Sequence, residues 1–162
     1  MIVELSAPEM FLATMVGCAR QWQNVDAGRQ DRYGFEGDPW ASHIESSRAE
    51  CAVAKALNVF WSGSVGNLKA ADVGKVQVRH RIHDLEQPIG RISLTLHPRD
   101  NDGDLFVLVC GRRGKYKIMG FLRAEQGKKP KYWCDPTGRG RPAFFVPADL
   151  LIPFNEIADI AK

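Results

Sequence analysis

The sequence predicts an α+β fold, with N-terminal helices packed on a mostly antiparallel mixed sheet. Three observations predict it. Apolar residues recur at helical spacing through the first third of the chain, then alternate at strand spacing after about residue 68. Each helical stretch is preceded by a Ser-x-x-Glu box, the signature of a capped N-terminus. No repeat, low-complexity tract or linker divides the 162 residues, so residues 1–162 read as a single domain. At 44% hydrophobic, a chain of this length can bury about 70% of its unfolded surface.

The elements follow in order. Ser6 and Glu9 form a capping box with Pro8 in the first turn. Behind it Phe11, Leu12, Met15, Val16, Ala19 and Trp22 recur at helical spacing, which predicts a helix over about 8 to 23. DAGRQDRYGFEGDPWAS, rich in Gly, Asp and aromatics, reads as an ordered loop. Ser42 and Glu45 form a second capping box. The helix they open runs to about Leu57, with Ala49, Val53, Ala56 and Leu57 on its apolar face and Asn58 as its stop. A first strand is predicted around residues 68 to 73, ending at Asp72. VGK turns, and VQVRHRI and RISLTLHP alternate as strands. PRDNDGD is a turn, LFVLVCG a buried strand and YKIMGFL a further one. GKKPK and TGRGRP are loops, AFFV a last short strand, and PADLLIPFNEIADIAK holds one or two helical turns. Helices first and strands later is the α+β pattern.

Composition narrows the function classes. No run of about 18 apolar residues exists, so no membrane span is expected. The start, MIVELSAPEM, lacks the basic end and apolar core of a signal peptide. Cys18, Cys51, Cys110 and Cys134 are far apart and form no C-x-x-C pair, which argues against a zinc cage or a disulfide framework. A reducing cytoplasm is the expected compartment. The net charge of +3 is uneven: residues 105 to 145 hold ten Lys or Arg against Glu125 and Asp135, a local +8, and the rest carries −5. Such asymmetry fits a polyanionic partner, and equally a solvated basic loop region.

The stretch AADVGKVQVRHR concentrates the chemistry. Gln77 and Arg79 are two apart on a strand, so they share a face. Asp72 lies across the tight turn from them. Glu50 sits on the second helix beside Val53, Ala54 and Leu57, at the margin of the buried stripe, where a carboxylate needs a partner. Two readings are open. Glu50, Asp72 and the Gln77 amide oxygen can ligate a divalent cation such as Mg²⁺. Alternatively Asp72 caps its own turn, Gln77 and Arg79 form a solvent face, and Glu50 pairs with Lys55 or Arg79. Glu45 is the return half of its capping box, with a supporting site role open. Asp100, Asp102 and Asp104 read as a plain turn. His80 and His83 flank the site strand within reach of a phosphate, and Tyr132 and Trp133 either stack on bases or pin their loop.

The blocks HIESSRAECAVAKAL, AADVGKVQVR, RISLTLHPRDNDGDLFVLVCG, YKIMGF and AFFVPADLL resemble a group of phage and prophage proteins, a group that itself resembles the PD-(D/E)XK nuclease superfamily. The resemblance covers about residues 6 to 154. It implies a restriction-endonuclease-like core and Mg²⁺-dependent (or Mn²⁺-dependent) cleavage of phosphodiester bonds. It places the helix glutamate on Glu50, the strand-end aspartate on Asp72 and the acid-x-lysine pair on Gln77 and Arg79. Glu50, Asp72 and Gln77 are then the metal ligands, and all four residues the catalytic set. Two positions depart from the motif: Gln77 removes one negative charge, and Arg79 stays protonated and cannot act as a general base. The superfamily's helix between its third and fourth strands has only PRDNDGD and RAEQGKK as counterparts. The implied partner is nucleic acid, with DNA the first expectation, gripped by Arg112, Arg113, Lys115, Lys128, Lys129, Lys131, Arg139 and Arg141. The implied compartment is the host cytoplasm if the chain is phage-encoded. The rival expectations are a non-catalytic nucleic-acid-binding protein that keeps the fold, and a phage accessory or structural protein.

Overall fold

The computed structural model describes residues 1–28, 37–66, 70–138 and 140–157. The second of two helices lies against a four-stranded mixed sheet with the first packed on it, and a small three-stranded sheet covers the sheet's other face. The α+β class is thus observed, with the strands divided between two sheets rather than joined in one.

A short strand β1 (Ile2–Glu4) precedes helix α1 (Ala7–Asp26). The Ser6/Glu9 capping box forms as the sequence predicts. Helix α2 (Pro39–Leu57) starts one turn earlier than expected. Asp38 caps it, accepting from the Trp40 amide at 2.9 Å, and Pro39 occupies the first position with its φ already helical. Ser42 is therefore inside the helix, its amide bonded to the Asp38 carbonyl, and the second capping box does not form. Asn58 ends α2 in the left-handed region at φ 52°, as a helix stop should.

The strand expected before Asp72 is also absent from its described part, and residues 67–69 lie outside it. Only one bridge, Val73 with Val76, folds the segment back along β2 (Val76–Ile82). Gly74, at φ 56°, allows the turn. β3 (Ser93–Leu96) follows, then β4 (Leu105–Arg112) and β5 (Lys115–Arg123). The two-residue turn Arg113-Gly114 joins β4 and β5 with both φ values positive. A single helical turn α3 (Ala124–Gly127), β6 (Trp133–Cys134) and β7 (Ala143–Pro147) complete the described chain, with 3₁₀ turns at 130–132, 148–150 and 154–156. RAEQGKK thus supplies one turn and no long helix.

The main sheet runs β1-β5-β4-β2 and the small one β3-β7-β6. Among the described residues only β2 and β4 pair in parallel, and the strand order leaves β2 at an edge. The alternation of β4 explains the layering. Leu105, Val107 and Val109 face α2 with Ala49, Ala52, Val53 and Val76. Phe106 and Leu108 face Leu94, Leu96 and Val146 of the small sheet. A strand covered on both faces reads as an unbroken apolar run, as LFVLVC does.

The two helices touch backbone to backbone. A Cβ at Gly17 would lie 2.5 Å from the Ile44 Cα, so only glycine admits this approach. The buried side of α1 is Ala13, Gly17 and Gln21. Most of the predicted apolar face, including Phe11, Leu12, Met15 and Trp22, is exposed instead.

Phe106 joins both sheets, so Phe106→Ala should lower stability by about 3–5 kcal/mol in urea denaturation. A loss under about 1 kcal/mol would show that the small sheet does not pack on β4.

Candidate functional site

Glu50 is 5% exposed in the middle of α2. Helix α1 supplies its partner. Arg20 Nη1 donates to Glu50 Oε1 at 2.5 Å and Arg20 Nη2 to Oε2 at 2.9 Å. This is a two-pronged guanidinium–carboxylate pair, the strongest form of the interaction. Trp61 Nε1 donates to Oε2 at 3.3 Å. Arg20 Nε donates to the Ser64 carbonyl at 3.0 Å. The Glu50 partner proposed from sequence, Lys55 or Arg79, is therefore neither: Lys55 holds Glu9 at 2.8 Å.

Asp72 comes to the same place from the turn before β2. Its Oδ2 accepts the Val78 amide at 2.8 Å, clasping the free edge of the strand. Burial raises the carboxyl pKa of Asp72, against the Val78 amide and the charges of Arg20 and Arg79. Burial also raises that of Glu50, and the charge of Asp72 raises it further, against Arg20. Two acids 22 positions apart thus share one low-dielectric region with one guanidinium between them.

Gln77 and Arg79 leave β2 on the face away from α2, since Val76 and Val78 between them face the helix side. The Gln77 side chain makes no hydrogen bond among the described residues, and Arg79 is committed. Its guanidinium lies 4.7 Å from the Phe106 ring centre, with Nη2 at 3.0 and 3.1 Å from the Asp100 oxygens. Asp100 also accepts the His97 amide at 2.8 Å, and Asp102 pairs with Lys128, so the PRDNDGD acids tie a turn together.

The cations expected to grip nucleic acid separate into two groups. Arg112, Arg113 and Lys115 surround the β4–β5 turn, whereas Lys128, Lys129 and Lys131 follow the other end of β5. Nine residues of strand put about 25–30 Å between them. Lys128 is a correction: its ammonium donates to the Pro98 carbonyl, the Asp100 carbonyl and Asp102, which commits all three donors to the chain's own 98–102 turn. Arg112 pairs with Asp84. Arg113, Lys115, Lys129, Lys131 and Arg141 are exposed, and Arg139 lies outside the described residues.

Glu45, freed from the cap, is 8% exposed and structural. It accepts from Arg48 at 2.7 Å, from the Tyr116 hydroxyl at 2.5 Å and from the Arg113 amide at 3.1 Å. His80 packs on Tyr116 and bonds the Gly111 carbonyl at 2.9 Å, and burial lowers its pKa, so it serves the core rather than a phosphate. His83 bonds the Gln87 carbonyl at 3.3 Å. Trp133 lies against Phe144 and remains 42% exposed.

Arg20 and Trp61 are the site residues that sequence reasoning missed. A signal existed: Gly17, Arg20, Gln21 and Asn24 are small or polar and share the α1 face opposite the apolar stripe. Among the described residues no group of three or more His, Cys, Asp or Glu side chains gathers as a metal cage, and no helix is long and apolar enough to cross a membrane. Comparison with family models, curated proteins and solved structures finds no match for this chain.

Two outcomes follow from these charges. Asp72→Asn keeps an oxygen for the Val78 amide and removes the charge beside Glu50. It should stabilise the fold at pH 7 by on the order of 1 kcal/mol. The Asp72 pKa is raised on folding, so the charged form is disfavoured only above the ordinary value of 3.8. The advantage of the variant should therefore grow as pH rises through the raised pKa and vanish near pH 3.8, read by urea titrations across that range. A pH-independent difference would refute the shared environment. Arg20→Met strands Glu50 and should cost about 3–5 kcal/mol at neutral pH by the same measurement.

Proposed function

We propose that the protein is a metal-dependent nuclease-like hydrolase with a restriction-endonuclease-type core, acting on phosphodiester bonds of nucleic acid, DNA in the first instance. The observation that carries this reading is the deficit of positive charge at Glu50 and Asp72. The buried Glu50 and the half-buried Asp72 meet a single guanidinium, and Arg79, the other cation that Asp72 feels, is held by Asp100. Such a pair is stabilised by one further cation with oxygen preference. Asp72 has one carboxyl oxygen outside its Val78 bond, so with Glu50 it offers oxygen ligands of the kind Mg²⁺ or Mn²⁺ prefers, whereas Gln77, on the other face of β2, adds none.

Glu50 and Asp72 would hold the ion, with waters and substrate oxygens completing its shell. The ion, when bound, supplies Lewis-acid polarisation of a phosphate oxygen. Glu50 would reach the ion by giving up part of its Arg20 grip, and Arg20, kept in place by the Ser64 carbonyl, would then stand beside the site with a guanidinium prong suited to phosphate. Arg79, held by Asp100 and Phe106 on the other face of β2, keeps that side of the strand positive and takes no part at the ion. Lys129, Lys131 and Arg141, exposed on the small-sheet side, add salt-dependent contacts to the polyanion backbone without base selectivity.

The Arg20–Glu50 grip supports a second reading, in which a guanidinium permanently replaces the metal and the protein binds nucleic acid without cutting it. Cleavage and thermal melting separate the two. With labelled DNA and RNA, Mg²⁺ or Mn²⁺ should yield product and raise the melting temperature of the wild type, and neither effect should survive in Asp72→Asn. Equal cutting by that variant would falsify the site. Salt-sensitive binding with no product in either metal would establish the second reading.

A further inference from the structure

The face of α1 turned away from α2 is apolar along its length. Phe11, Met15, Cys18, Trp22 and Val25 follow at steps of four, three, four and three residues. That 3.5-residue period is the seam of one helix lying along another. The seam is bare: Phe11 is 65%, Met15 55%, Trp22 63% and Val25 53% exposed, with Leu12 beside them at 62%. Neither α2 nor the sheet covers it, because Ala13, Gly17 and Gln21 on the other side make those contacts. No member of the seam is charged.

We propose that two copies of this chain pair through α1, antiparallel, about a two-fold axis at Cys18. The period calls for a helix as occupant. The pattern is symmetric about its centre: Phe11 and Val25 each lie seven residues from Cys18, and Met15 and Trp22 lie three and four residues away. The axis sets Phe11 of one copy against Val25 of the other, Met15 against Trp22, and Cys18 against its own counterpart. Cys18 and Ala19 are small where the two backbones must approach most closely. The five large exposed side chains present on the order of 600 Å². A stable interface removes about 800 Å² from each partner, so this face supplies most of one half. A self-complementary contact closes at two copies and leaves no seam over. Arg20 points to the opposite side of α1, so the pairing is independent of the carboxylate site and of the function proposed for it.

Light scattering on the full chain, diluted from hundreds of micromolar to low micromolar, tests the pairing. The wild type should show twice the mass of one chain, and the Met15→Glu/Trp22→Glu variant one chain with unchanged circular dichroism. Both replaced side chains are exposed, so the fold tolerates the change. In a Cys134→Ser background a short bismaleimide should join two chains, and adding Cys18→Ser should abolish the joined band. A wild type that is monomeric throughout overturns the proposal, including the case where Trp22 fluorescence resists iodide because another segment covers it. A dimer that survives the double variant and gives no Cys18 cross-link overturns it equally.

Discussion

The pair formed by Arg20 and Glu50 governs the arrangement of everything near it. Helix α2 cannot lay Ala49 and Val53 on the sheet without carrying Glu50 inward. A carboxylate there must be neutralised. The guanidinium comes from α1, and it reaches only because Gly17, one turn earlier, lets the two backbones touch. The same ion pair takes the Trp61 indole and the Ser64 carbonyl, so the chain leaving α2 is fastened to it as well. Two helices, one loop and the turn before β2 are thereby referred to a single electrostatic centre.

That centre is built against the interest of stability. Asp72 brings a second negative charge into a region that burial already makes hostile to the first. An apolar residue at position 72 would lose the bond to the Val78 amide, but a neutral amide would keep it, so the backbone has no need of the charge itself. Structures tolerate such local conflict chiefly where a ligand resolves it. The other arginine of the region lives in a different layer. Arg79 stacks on Phe106 and answers to Asp100, so the two guanidiniums are separately anchored and neither can drift to serve the other's acid.

Much of this was legible in the chain. The Ser6 cap, the Asn58 stop, the unbroken run of β4 and the change of period after α2 all stand as local signals predict, because each rests on near neighbours. Glu50 was found from its place at the margin of an apolar stripe, and Asp72 from its turn. What failed depended on competition or on distant partners. Asp38-Pro39 outbid Ser42 for the start of α2. Arg20 is ordinary in composition and reveals its role only when α2 lies beside it. The apolar residues of α1 announced a helix correctly, but periodicity does not say which side faces inward, and here the small and polar side does. The basic segment looked continuous as text, yet the β4–β5 hairpin carries its two halves to opposite ends and Lys128 is consumed internally.

The edge position of β2 has its own implication. A peripheral strand offers half its amides and carbonyls to any extended polypeptide that drifts alongside, the route by which folded chains zip into fibrils. At the start of β2 the Val73 bridge and the Asp72 carboxylate already fill that role from within. Farther along, Arg79 and Arg81 place fixed positive charge on the strand, so a second identical edge would be met by like charges in register. The carboxylate that makes the interior uncomfortable is thus also a guard against runaway polymerisation.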